Sequence, residues 1–117
     1  MRVCVPTAGE RGLEEMVGEH FDKAQTFTIV DTERNSAETV FCSGDGWCPM
    51  KAMSEKNVDV LVCSHLGHSA LSDLETLGIS VYIGAYGRVK DAVRMWRSDM
   101  LHDATEKKAK RRHEPRD

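Results

Sequence analysis

The run Val58-Asp59-Val60-Leu61-Val62-Cys63 constrains this chain more than any other segment. Its nearly continuous apolar, β-branched character is that of a strand covered on both faces. Such strands belong to parallel sheets, whose crossover helices lie above and below them. The flanking residues supply those helices. Upstream, Pro49 suits the first turn of a helix, where a missing N–H loses no hydrogen bond. Ala52 and Met53 give that helix an apolar side, and Asn57 can close it in a left-handed conformation. Downstream, Ala70, Leu71, Leu74 and Leu77 recur at helical spacing until Gly78 stops them. Ile79-Ser80-Val81-Tyr82-Ile83 is a further strand, and Val89, Ala92, Val93, Trp96 and Met100 mark one face of a last helix.

The first third of the chain follows a different rule. Val3 and Val5 open a strand that stops at Pro6-Thr7-Ala8-Gly9, and a charged loop punctuated by Gly12 and Gly18 follows. Thr26-Phe27-Thr28-Ile29-Val30-Asp31 alternates with the period of a strand. The turn Glu33-Arg34-Asn35-Ser36 then leads into Glu38-Thr39-Val40-Phe41-Cys42, a connection short enough for an antiparallel hairpin. The later helix–strand–helix–strand–helix order implies right-handed crossovers and parallel strands. An α/β domain follows: a mixed five-stranded sheet with one antiparallel strand and helices on its faces. Ligands of open sheets sit beyond the carboxyl ends of the parallel strands. Cys63 and His65 lie at such an end.

At 117 residues the chain holds one domain with a real core. No stretch approaches the roughly 20 apolar residues that span a bilayer. Met1-Arg2-Val3-Cys4-Val5-Pro6 reads as strand and not as a signal peptide, so the expected location is the cytoplasm. The net charge of −3 conceals an asymmetry. From Glu106 onward six Lys/Arg face three acids, whereas the preceding residues hold ten bases and sixteen acids. The expected organisation is a domain over residues 1–101 and a basic, solvated tail over residues 102–117.

The four cysteines, Cys4, Cys42, Cys48 and Cys63, are far apart in sequence, but strand ends and helix starts can gather them. Thiolates gathered in a crevice suit soft metals and iron–sulfur clusters. Their spacing matches neither a paired C-x-x-C zinc module nor a ferredoxin run. In a reducing compartment disulfides are the less apt use. Cysteine is also a small buried apolar residue, and that reading fits Cys4 in its apolar strand. Cys48, at a helix start, fits a lowered thiol pKa and metal ligation. Cys42 ends a strand expected at the sheet edge, away from the others. Among the histidines, His20 is a loop residue before a strand and can present a ring nitrogen to a metal. His65 is a secondary candidate, and His68 reads as solvated.

Several segments in order resemble a known family. They are Arg2-Val3-Cys4-Val5-Pro6; Val17-Gly18-Glu19-His20-Phe21-Asp22-Lys23-Ala24; Asn57-Val58-Asp59-Val60-Leu61-Val62; Gly67 with Ala70 and Leu74; and Leu77-Gly78-Ile79-Ser80-Val81-Tyr82. Over about residues 1 to 101 the chain resembles the dinitrogenase iron–molybdenum cofactor biosynthesis family, the NifX- and NifY-like accessory proteins. The resemblance implies a ribonuclease-H-like three-layer α/β fold without nuclease activity. It further implies binding, carriage or storage of an iron–molybdenum cofactor or another metal–sulfur cluster. The histidine of the family's His-Phe-Gly motif falls on His20, with Asp22 where glycine is usual. Trp47 and Cys48 stand within a stretch that is glycine-rich in many relatives.

Enzyme readings lack their motifs: there is no Walker loop, no dinucleotide fingerprint and no G-x-S-x-G elbow. The expected protein is a binding protein and not an enzyme. Its expected cofactor contacts are His20, Cys48, Cys63 and His65, and its metal ligands are drawn from Cys4, His20, Cys48 and Cys63. Its partners would be a metal–sulfur cluster and a cluster-assembly or recipient protein, with no membrane. The rival is a thiol redox or persulfide carrier using Cys48 or Cys63. Nucleic-acid binding by the tail ranks last, because no aromatic residues interleave its basic ones.

Overall fold

The computed structural model describes residues 1–42 and 47–104, without the side chains of Asp22, Trp47 and Cys48. In chain order the elements are β1 (Arg2–Thr7), β2 (Thr26–Asp31), β3 (Ser36–Phe41), α1 (Trp47–Glu55), β4 (Val60–Val62), α2 (His68–Thr76), β5 (Ser80–Ile83), α3 (Val89–Arg97) and β6 (His102–Asp103). Two single 3-10 turns, Gly12–Glu14 and Phe21–Lys23, interrupt the long connection from β1 to β2.

The strands form one sheet in the order β3-β2-β1-β4-β5-β6. β1, β4 and β5 are parallel, with Val3 opposite Val60 and Leu61 opposite Val81. β2 runs antiparallel to both β1 and β3, as the hairpin reading requires. Asp31 Oδ1 accepts the amides of Glu33 and Arg34, and Asn35 adopts a φ of 53°, so the hairpin turn is built by local polar groups. The expected five strands become six. β6 pairs Asp103 with Tyr82 and His102 with Ile83, adding a second antiparallel member at the far edge. Met100, expected on the core face of the last helix, lies beyond α3 and is exposed, because the chain leaves the helix at Asp99 with a φ of 60°. The basic residues from 107 onward, and Gly44 and Gly46, lie outside the described residues.

Strand periodicity divides the interior into two cores. Cys4, Ile29, Leu61, Cys63 and Val81 point to one face, where Met50 and Met53 of α1 and Leu74 of α2 cover them. Val3, Val5, Val30, Val60 and Val62 point to the other, beneath Val89, Ala92 and Val93 of α3. β1 and β4 are therefore apolar on both faces, as their composition demands. Both helices over the first core end as their sequences predict. Asn57, at a φ of 57°, lets the Val58 amide turn back to the Met53 carbonyl. Gly78, at 79°, does the same for Ile79 and Leu74.

The connection leaving β1 is tied down by its own carboxylate. Glu15 has a side chain only 7% exposed, and it accepts the Met16 amide at 2.8 Å, the Arg11 amide at 3.2 Å and Arg11 Nε at 3.3 Å. Gly9 makes room for it: a Cβ there would stand 2.5 Å from Glu15 Oε1. The Met16 hydrogen bond, then that of Arg11, hold this carboxyl below its ordinary value of 4.5. Through its carbonyl, Glu15 also receives the Val89 amide at 2.8 Å, which fastens the loop to the start of α3.

Two outcomes test this description. Leu74→Ala removes a side chain with no exposure and is expected to cost about 2–5 kcal/mol, read as a lower urea midpoint at unchanged slope. Glu15→Gln is expected to lower Tm at neutral pH. A carboxyl whose pKa is lowered by folding stabilises the fold above its unfolded value and loses that contribution as pH falls through the folded one. The Tm gap between wild type and Glu15→Gln should therefore narrow below about pH 4.5; a gap independent of pH would contradict it.

Candidate functional site

The carboxyl ends of β1, β4 and β5 share one rim, and there the chain parts in two directions. After β1 it turns toward the face covered by α3, where the Val17 amide bonds the Gly87 carbonyl at 2.9 Å and Met16 bridges Arg88. After β4 it turns to the other face and enters α2 at His68. Adjacent parallel strands whose connections diverge to opposite faces leave a crevice between them. The first turn of α2, with no acid and no side-chain cap, opens at this rim, so its positive dipole end favours an anion there. The start of α3 is already occupied, its Val89 amide by the Glu15 carbonyl and its first turn by Asp91.

His20 and His65 meet at that rim, where the loop after β1 comes back against the continuation of β4. Their backbones pair in an isolated parallel bridge. Their rings lie 6.0 Å apart between centres with an angle of 21° between planes, and both residues are exposed. The local sequence explains the placement of His20. The residue is extended, at φ −124° and ψ 124°, and the next side chain, Phe21, turns inward to 4% exposure. There Phe21 meets Phe27 edge to face, with ring centres 5.6 Å apart. A buried phenylalanine thus anchors the loop and leaves the histidine outside. His65 is held by the continuation of β4. Cys63 donates its amide to the Tyr82 carbonyl and accepts the Ala85 amide, and Ser64 accepts the Gly84 amide.

On one side of His20 lies a groove of mixed polarity, about 610 Å³, that includes Thr7, Gly18, Lys23 and Gln25. A second hollow of about 790 Å³ runs between α1 and α2 past Met50, Ala70 and Leu77. It is mainly apolar and holds neither histidine.

The cysteines are distributed differently from the expectation of a shared crevice. Cys4 and Cys63 have no exposure and lie in the core beneath α1 and α2. Burial pushes the Cys63 thiol up to about 12. It also raises Cys4, with the neighbouring Cys63 adding to the effect. Both are held as neutral thiols, and although Cys63 stands at the carboxyl end of β4 its side chain turns into the core. Strand alternation is the cause, since Cys4, Leu61 and Cys63 all fall on the same inward face. Cys42, buried after β3, is disulfide-bonded, which corrects the preference for thiols throughout. The expectation for Cys48 falls on a side chain outside the described residues. His68 begins α2 and is exposed. Among the described residues no three His, Cys, Asp or Glu side chains are grouped to hold a metal ion. Glu15, which shapes the loop carrying His20, escaped the sequence reading, because one acid in a charged loop reads as solvated; Gly9, read as the stop of the first strand, also makes room for it.

Comparison with known proteins agrees with this architecture. A Thermotoga protein provisionally called NifB is 30% identical, with a TM-score of 0.77 over 89% of this chain and 93% of its own. The apo orange protein of Desulfovibrio gigas is 25% identical, with a TM-score of 0.78 over 88% of this chain and 92% of its own. A dinitrogenase-type protein from Methanocaldococcus jannaschii, 16% identical with a TM-score of 0.68 over 90% of this chain and 95% of its own, shares the fold. No curated protein sequence matches the chain significantly. The family model described as dinitrogenase iron-molybdenum cofactor matches residues 1–99. The chain belongs to the dinitrogenase iron–molybdenum cofactor family.

Proposed function

We propose that this protein binds, carries or stores an anionic metal–sulfur cofactor of iron–molybdenum or iron–sulfur type, and that it is not an enzyme. The cargo would sit at the rim where the connections after β1 and β4 diverge, on a fold of ribonuclease-H-like type, with His20 as the leading protein contact. The observation that carries the reading is the exposed His20–His65 pair at that crevice in a chain of this family. The donor set fits a cofactor that brings its own sulfide. Imidazole suits iron and other transition metals, and the amides at the start of α2 suit the negative charge of a cluster. A cluster held by few protein ligands can be passed on, which is what handing it to an assembly or recipient protein requires.

The rival reading, thiol redox or persulfide carriage, needs an exposed thiol with a lowered pKa. Of its two candidate thiols, Cys63 is buried and raised and does not favour it, and the Cys48 side chain lies outside the described residues.

Protein purified without oxygen is expected to contain iron or molybdenum together with inorganic sulfide, measured per chain, and His20→Ala to retain less by more than about 10-fold. Colourless, metal-free protein that also takes up no added cluster would overturn the proposal. For the thiols, the expected outcome is that Cys4 and Cys63 resist alkylation in the native chain and react once it is denatured. Mass mapping of the modified residues measures this. Rapid native labelling of Cys63 would instead favour the rival.

A further inference from the structure

We infer that His20 and His65 act together as a two-imidazole clamp for a single divalent transition ion, such as Zn²⁺, Co²⁺ or Ni²⁺. The inference rests on the proposed reading of the crevice as a metal-cofactor site. It adds that one metal of the cargo is held by both rings, and that the clamp also takes a bare ion.

The backbone supplies the first argument. Because the two residues pair in a parallel bridge, their Cα atoms are held at about the 4.8 Å spacing of neighbouring strands. Each side of the bridge is separately fixed, by Phe21 in the core and by the Cys63 and Ser64 hydrogen bonds to the β5 side. The pair is therefore positioned by the fold and not by the rings' own weak attraction. Distance supplies the second argument. Metal–nitrogen bonds of about 2.0–2.1 Å put the centres of two rings on one ion roughly 5–6 Å apart. The observed separation is 6.0 Å with the rings stacked at 21°, and exposed rings reorient about χ1 and χ2 within nanoseconds, the turn that brings both nitrogens onto one ion. Chemistry supplies the third. Neutral imidazole binds borderline divalent ions well. Among the described residues no third His, Cys, Asp or Glu completes the group. The described residues thus leave the remaining coordination positions to water or to the sulfide of the cargo.

The test uses the full apo chain and the metal ions alone, followed by titration calorimetry and by the visible spectrum of the Co²⁺ form. The expected result is one ion per chain, with no intense near-ultraviolet thiolate band. His20→Ala and His65→Ala should each weaken binding by more than about 10-fold, while His68→Ala leaves it unchanged. Far-ultraviolet circular dichroism checks that each variant is folded. Absence of binding, binding that survives either His20→Ala or His65→Ala, or a thiolate band would overturn the clamp. Cluster uptake by the same variants separates the two proposals. Full cluster retention in His65→Ala defeats the clamp and leaves the carrier reading standing. Ion binding without any cluster uptake defeats the carrier reading and leaves the clamp.

Discussion

The parallel pairing of β1 with β4 is the constraint on which the rest depends. Both strands are buried on both faces, so the chain must supply cover above and below them. α1 and α2 cover one face and α3 the other, and the connections after β1 and β4 leave the sheet toward different faces. The parting of those connections makes the crevice, and the crevice decides which side chains meet. His20 and His65 are 45 positions apart in sequence and become neighbours because one ends the loop from β1 and the other continues β4. Glu15 contributes indirectly: its carboxylate gathers the loop's amides and its carbonyl pins the loop to α3.

Much of this was legible from residues alone. The apolar run ending at Cys63 announced a doubly covered strand, and the hairpin of β2 and β3 followed from alternation and a four-residue turn. Asn57 and Gly78 closed their helices where left-handed residues were needed. The strand β6 was not legible, because two residues, His102 and Asp103, carry no periodicity and are recruited only by the exposed edge of β5. Met100 shows a related limit: helical spacing continued in the sequence after the helix had ended.

The strand end at which the candidate site is proposed was legible, with His65 just past β4, and its chemistry less so. Four cysteines suggested a thiolate cage, but the strand period settles which way a side chain points, and it sends Cys4 and Cys63 inward. Their raised pKa values follow from that burial. Cys42 is taken by a disulfide. What stands at the rim is imidazole and helix-terminal amide, a weaker grip than four thiolates and one that suits the proposed carriage of a cofactor. The pairing of His65 with His20 could not be read from spacing, since it depends on a single bridge between two loops.

The most direct measurement of the central claim is where a cluster sits. Adding a paramagnetic iron–sulfur cluster, assembled from iron(II) and sulfide without oxygen, to the ¹⁵N-labelled apo chain broadens the amides nearest to it. The account predicts loss of signal centred on residues 18–20, 64–68 and 84–87, where the carboxyl ends of the parallel strands and the starts of α2 and α3 meet. Broadening centred on the apolar hollow between α1 and α2, or on the β6 edge, would contradict it.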